Sequence, residues 1–459
     1  MRNIYLNEVK NNKIYYFLLF CIILISTLLN YNANMMGGIL PYYANFERII
    51  SSNFNKNVGF IDNIYTWPMW GYGYILLFFK YKIIIIFLQQ LLTILTIISI
   101  KVFAKKYLLN QKIYHFFSLT LLFSFSWFFF HTSLWPYSIS SNLLILSIVL
   151  FINSIKSNKI LYLIYSSILW GIMLNFRSDY YYLTFALSFA FFFYKKLNRN
   201  TQFKFAFFWL SINFILLTPW ALYTNSKTGH FLPISTNGGH VLFISLGQLP
   251  NNKWDITAND GDLTMHELVV NKFGKNESSL SYNSDLFLKK EFKKRILKFP
   301  LEYGKKVIYN FANYIIFPFY NGSIHEIILT RDQIDSFKNK IRIQYKNRAI
   351  IGILKLFFTK TGVAFLPSIL LGIFNFAIII FFYFHILTFI FFFKKYKCSI
   401  LIFSLFIVLI IYQIVLNIFA YYLPIYNTNL YLLYIFILFY LIQIKSANNL
   451  IYKEKVSKI

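Results

Sequence analysis

Residues 83–100 read "IIIIFLQQLLTILTIISI", a run with no charge in it. A helix needs about 20 largely apolar residues to cross the ~30 Å hydrocarbon core of a bilayer. A second block, "ILLGIFNFAIIIFFYFHILTFIFFF" at residues 369–393, is longer than one span requires. Such blocks recur along the 459 residues, which are 58% hydrophobic and only 13% charged. Soluble domains average about 25% charged. The fold class expected is an all-α integral membrane protein.

Helices are expected at about 14–31, 83–104, 112–131, 137–155, 160–176, 180–194, 205–223, 363–393, 398–418 and 429–445, a count of ten within a range of 9–12. "WPMWGYGYILLFF" (67–79) is short for a span and is followed by Lys80 and Lys82, so it reads as interfacial or re-entrant. The net charge of +29 does not mark a nucleic-acid binder. Its lysines cluster just beyond apolar blocks, at Lys105 and Lys106, Lys156 and Lys159, and Lys195 and Lys196. The positive-inside rule assigns that side to the cytoplasm, with both termini. The other side receives a first loop of about 32–82 and a long loop. This divides the chain into 1–223, an extracytoplasmic loop or small subdomain at 224–362, and a C-terminal helical part at 363–459. "MRNIYLNEVKNNK" precedes an apolar run with no small-residue cleavage site after it, so the first helix is expected to stay uncleaved.

Cys21 and Cys398 form no disulfide framework and no metal pattern. His230, His240, His266 and His325 lack the i, i+4 pairing of a zinc site, and no structural metal is expected. No glycine-rich phosphate loop marks a nucleotide site. Trp67, Trp70 and Trp135 read as interface anchors, with sugar stacking as the alternative.

Most of the 16 acidic residues fall in the long loop, and Glu8 and Glu454 lie in the terminal tails. Three remain: Glu47, Asp62 and Asp179. In "GGILPYYANFERIISSNFN" the apolar residues Ile39, Tyr42, Tyr43, Phe46, Ile49 and Ile50 recur every three or four positions. That is one face of a helix lying on the membrane, with Glu47 and Arg48 on its wetter side as anchors or as functional groups. Asp62, in "IDN", reads as a turn residue or as a site carboxylate. "LNFRSDYYYL" places Arg177 and Asp179 at a helix end. They read either as a local ion pair or as a guanidinium offered to a phosphate.

In "TPWALYTNSKTGHFLPISTNGGH" (218–240), Pro219 and Trp220 are expected to end a helix at the interface. Gly229, Gly238 and Gly239 permit tight turns, and Asn225, Ser235, Thr236 and Asn237 offer neutral hydrogen bonds suited to a sugar. "FLKKEFKKRILKFP" sets Leu288, Phe292, Ile296 and Phe299 on one helical face amid lysines, the pattern of a helix held on anionic lipid.

Several stretches, in order, resemble the bacterial polyprenyl-phosphate-dependent glycosyltransferases of the GT-C class, related to protein O-mannosyltransferases and to the lipid A aminoarabinose transferase. They are "NFERIISS", "TWPMWGYGYILLFF", "IISIKVFAKKYL", "LWPYS", "GIMLNFRSDYYYL", the Pro-Trp…Asn…Gly…"STNGG" loop and "LKKEFKKRILKFPLEYGKKV". The resemblance covers about residues 14–310. It departs at "AYYLPIY", where Tyr421 and Tyr422 precede the proline and the family often has Arg-Tyr.

The resemblance implies a sugar donor on polyprenyl phosphate and an acceptor hydroxyl on a glycan, lipid or protein at the outer face of the cytoplasmic membrane. It implies Glu47 as base with Asp62 as runner-up, Arg177 with Lys80 and Lys82 on the donor phosphate, and Asn225, Asn237, Tyr421 and Tyr422 toward sugar or acceptor. No cofactor is marked, and a divalent cation is compatible with the donor phosphate. Membrane lipid is an expected partner and nucleic acid is not. The alternatives are a lipid-linked oligosaccharide polymerase or ligase, or a transporter or flippase, which would favour two matching halves.

Overall fold

The computed structural model describes residues 2–31, 69–78, 82–132, 135–194, 197–317, 319, 329, 331–346, 349–391, 400–423 and 427–456. Among these the regular structure is helical, with no strand. The first group is α1 (Arg2–Asn11), α2 (Lys13–Tyr31), α3 (Trp70–Phe78), α4 (Lys82–Lys105), α5 (Gln111–Leu122) and α6 (Phe125–Thr132). Next come α7 (Pro136–Ser157), α8 (Ile160–Phe176), α9 (Tyr181–Phe193) and α10 (Arg199–Thr228). The loop region holds α11 (Gly238–Ser245), α12 (Leu263–Phe273), α13 (Tyr282–Lys298), α14 (Pro300–Ile316), α15 (Arg331–Lys346) and α16 (Ile350–Phe357). The chain closes with α17 (Lys360–Phe391), α18 (Ile400–Val415), a π-helical turn (Leu416–Ala420) and α19 (Tyr431–Val456).

Each apolar block expected as a helix is helical over its described residues, but the one expected at 112–131 is broken into α5 and α6. Four helices, α4, α7, α10 and α17, are long and apolar enough to cross a membrane. The bent pairs α1–α2 (92°) and α5–α6 (45°) raise the number to six among the described residues. Other apolar stretches are shorter: α8 has 17 residues, α9 has 13, and the apolar part of α19 runs only over Tyr431–Ser446.

Local chemistry sets the boundaries. Pro136 opens α7, where its missing N–H costs nothing, and Asn158 ends it in the left-handed conformation at φ 52°. Small residues bring α7 and α8 together: Ser147 and Ser166 hydroxyls each donate to the other's carbonyl, at 2.8 and 2.7 Å.

Register fixes the ends of the bundle. Asn142 of α7 bonds Thr93 of α4 at 3.1 Å, and Lys106 just past α4 bonds Asn153 of α7 at 3.3 Å. The two helices therefore run parallel. α8 returns antiparallel, so Arg177 lies at the end where α4 and α7 begin. Glu8 lies at the opposite end, 3.4 Å from Lys101 and 3.7 Å from Lys105. Glu8 is thus no solvated tail residue. It is buried, and it also accepts from Tyr114 at 3.1 Å and Asn12 at 3.0 Å. Lys101, inside the apolar "IISIKVF", was the legible sign that a partner is needed.

Two expectations are corrected. Pro219 does not end its helix: α10 runs through it to Thr228. Proline inside a helix frees a carbonyl one turn back, a loss that membrane helices offset through neighbouring polar groups. Here Gly229, at φ 73°, makes the stop. Trp220 is fully buried against Trp70 and Tyr223, at ring separations of 5.6 and 5.8 Å. Second, the apolar face of α13 packs on protein. Leu288 is buried, with Phe292, Ile296 and Phe299 packed around it, in a separate core with Phe243, Trp254, Met265 and Val269. Another part of the chain supplied the apolar partner that sequence spacing alone assigned to the bilayer.

Candidate functional site

Arg177 ends α8. Its N–H closes the last turn on Met173 O at 2.9 Å, and its backbone then turns extended. The guanidinium lies over the Tyr137 ring, 3.6 Å from the centroid, and pairs with Asp179. Tyr137 is held there because Pro136 starts α7 directly before it. Stacking and ion pairing fix the plane of the guanidinium fork, which preorganises it for bidentate binding of a carboxylate or phosphate. Arg177 is buried, so its field is weakly screened.

The turn after Arg177 reaches the long loop. Ser178 Oγ lies 2.8 Å from Ser235 Oγ, inside the "PISTNGG" stretch. That stretch is pinned in turn by α13: Gly239 N–H donates to Asp285 at 2.5 Å, and Lys289 donates to the same carboxylate at 2.6 Å. Gly239 is required here by close approach, because a Cβ would sit 2.1 Å from Asp285 O. Gly239→Ala is expected to cost about 1–3 kcal/mol through that overlap. Chemical denaturation monitored at Trp254 measures it, and an unchanged midpoint would contradict the contact. Next in sequence, His240 bonds Ser279 at 3.0 Å and Asp260 at 3.1 Å. The His240 hydrogen bond holds the Asp260 carboxyl below its ordinary range.

The other wall comes from the C-terminal helices. Tyr412 donates to Asp179 O, and Gln413 donates to Tyr180 OH at 2.5 Å. Asn417 donates to Gln413 O at 2.8 Å and to Asn427 Oδ1 at 3.0 Å. The π-helical turn at Leu416–Ala420 lies in this layer; such turns often occur at functional sites. Its last carbonyls, Phe419 O and Ala420 O, accept from the buried Lys306 Nζ of α14 at 2.9 and 2.5 Å. Burial pushes the Lys306 ammonium down to about 7. Gln248 bridges the remainder, accepting from Tyr422 N at 3.0 Å and from Asn310 at 3.0 Å, and donating to Tyr422 O at 2.8 Å.

A second polar cluster begins one residue past Tyr137. His131 Nδ1 lies 2.9 Å from Ser138 Oγ and 3.2 Å from Asn142 Nδ2, while Gln89 donates to His131 O at 2.9 Å. These side chains are buried, and they tie α4, α6 and α7 together beneath Arg177.

The expected site residues divide as follows. Glu47, Asp62 and Lys80 lie outside the described residues, and Lys82 opens α4. Arg177 sits in the polar layer. Asn237 is half-buried beside the start of α11, close to Ser235, whereas Asn225 is exposed on the last turn of α10. Tyr421 OH bonds Ala258 O at 3.2 Å, and Tyr422 OH lies 2.9 Å from Asn313 O. Both tyrosines therefore fasten the C-terminal helices to the loop region. The sequence reading missed Gln248, Lys306, Asn310, Gln413, Asn417 and His131. The one signal available was their polarity inside or beside apolar runs. Among the described residues no group of three His, Cys, Asp or Glu is placed to hold a metal ion. Comparison with protein-family models, with curated proteins and with solved structures finds no match to this chain.

Proposed function

We propose that the chain is a membrane glycosyltransferase that moves a sugar from a polyprenyl-phosphate donor to an acceptor hydroxyl on the outer face of the cytoplasmic membrane. The observation that supports it is the buried Arg177, stacked on Tyr137 and paired with Asp179 at one end of an apolar helix bundle, with Tyr412 and Gln413 bonded to the two residues that follow Ser178. A phosphate takes the guanidinium fork, and sugar hydroxyls take amides. In this reading the acceptor oxygen attacks the anomeric carbon from the face opposite the phosphate. The C–O bond to phosphate breaks, polyprenyl phosphate leaves, and the acceptor proton passes to Glu47, with Asp62 as the alternative base. One carboxylate suffices because the phosphate leaves without a proton.

The test is transfer of radiolabelled sugar in membranes charged with polyprenyl-phosphate-sugar, at matched expression. Arg177→Gln is expected to lower turnover on the order of 10²–10³-fold, the loss typical of one preorganised donor to developing charge. Arg177→Lys keeps the charge without the fork and should fall between. Glu47→Gln should abolish transfer. If Asp62→Asn does so instead, the base is reassigned. A parent chain that transfers nothing from any such donor removes the reading.

A further inference from the structure

Helix α14 carries its polarity inside out. Glu302, Lys306, Asn310 and Tyr314 recur every four residues and share one face. That face is turned into the protein: Glu302 is 7% exposed and Lys306 0%. The opposite face shows Leu301 at 84%, Ile308 at 70% and Phe311 at 47% exposure. Against water both halves have the wrong sign. Exposed apolar area costs about 25 cal/mol per Å², and a buried ammonium held by backbone carbonyls and no carboxylate within ion-pair distance among the described residues carries a desolvation penalty. Against hydrocarbon both halves come right: apolar groups face outward and polar groups face inward.

The preceding helix supplies the contrast. α13 buries Leu288 and leaves Lys290, Lys293 and Lys294 exposed, the ordinary arrangement in water. The inversion occurs across Phe299–Pro300, the joint between the two helices. Beyond the joint α14 packs against α17 and the π-helical turn. Its Tyr314 hydroxyl lies 2.8 Å from that of Tyr434 and accepts from Tyr383 at 3.0 Å, so its C-terminal half is set among apolar helices. α17 shows the same kind of outer face, with Leu370, Ile373 and Phe381 exposed. Lys305 is the one charged residue on the outward face of α14. It lies in the N-terminal half, where its stem can run along the helix while the ammonium stays at headgroup level.

We propose that α14 is seated in the bilayer, with Ile308 and Phe311 on lipid acyl chains and Lys305 at the headgroups. Seventeen residues make a helix about 25 Å long, shorter than the ~30 Å hydrocarbon core. It therefore enters from its Pro300 end and stops short of crossing. The Lys306–Asn310 stripe then faces the polar layer below the membrane surface, and α14 forms the partition between that layer and the lipid.

The test uses the full chain with Cys21→Ser and Cys398→Ser, reconstituted in phosphatidylcholine–phosphatidylglycerol vesicles. Nitroxide labels are placed at Ile308→Cys, Phe311→Cys and, for reference, Lys293→Cys on α13. Oxygen and a water-soluble nickel complex are the relaxants. The expected result is oxygen access exceeding nickel access at 308 and 311, with the order reversed at 293. Nickel access at 308 and 311 equal to that at 293 would mean a water-facing helix and overturn the proposal. Low access to both relaxants would mean that protein covers the face, and would overturn it as well. Ile308→Trp quenched by brominated lipid more strongly than Lys293→Trp gives the same reading without a label.

Discussion

Glu8→Ala is expected to lower the stability of the bundle by about 3–5 kcal/mol, the range for removing one partner of a buried ion pair. The carboxylate is shared by Lys101 at 3.4 Å and Lys105 at 3.7 Å, and it accepts from Tyr114 and Asn12. Lys105 is largely exposed and re-enters water when the carboxylate goes, whereas Lys101, 1% exposed, has no such exit. It would keep the Tyr15 ring, 3.3 Å from its nitrogen, and the more distant Tyr16 and Tyr114. A desolvated cation–π contact returns roughly 2 kcal/mol. The loss therefore comes chiefly from the charge left behind. The double variant Glu8→Leu, Lys101→Met should recover most of it, since a buried pair replaced by apolar groups of similar volume is often neutral. Thermal unfolding in detergent of parent, single and double variants decides the point. A single variant no less stable than the double would sink the argument.

The second large effect is a pH dependence centred on Lys306. Its ammonium titrates at about 7 in the fold because burial disfavours the charge, against about 10.4 for a solvated lysine. Between these values the undocked chain binds the extra proton, so stability rises with pH across that window. Below about 7 both states are protonated and the dependence vanishes. Above the unfolded value both are neutral and the gain is complete. The slope is at most about 1.4 kcal/mol per pH unit, so the change across the window is on the order of a few kcal/mol. Amide exchange of α14, corrected for its intrinsic pH dependence, should show protection growing from pH 7 to 10. Lys306→Met should abolish the growth while leaving Tyr303 bonded to Phe419 O, at 2.8 Å in the parent. A slope that survives in the variant assigns the effect to another group.

The helices were legible because apolar runs of this length have few other solutions in a bilayer. Their limits were less so. Proline at 219 reads as a stop in water, and only the packed surroundings of Trp220 show why α10 continues. The basic helix α13 resembled a lipid-bound surface helix because periodicity reports an apolar face and not what covers it. In the candidate site Arg177 was legible as a lone arginine at a helix end. Its surroundings were not: Gln413 meets Tyr180 across 233 residues of sequence and Asn429 meets it across 249. No local pattern encodes such pairings. Lys306 was hidden among the neighbouring lysines, and burial alone sets it apart.

Helix α10 has one more consequence. Thirty unbroken residues make a rod about 45 Å long, some 15 Å more than the hydrocarbon core is thick. A strut of that length carries the Gly229 turn as a mast carries a yardarm. The elevation and the bearing of the "PISTNGG" stretch over Arg177 are then a matter of counting residues. One inserted anywhere in the rod would raise the stretch by about 1.5 Å and swing it by about 100°. The Ser178–Ser235 contact tolerates neither, so the number of residues in α10 is itself a dimension of the site.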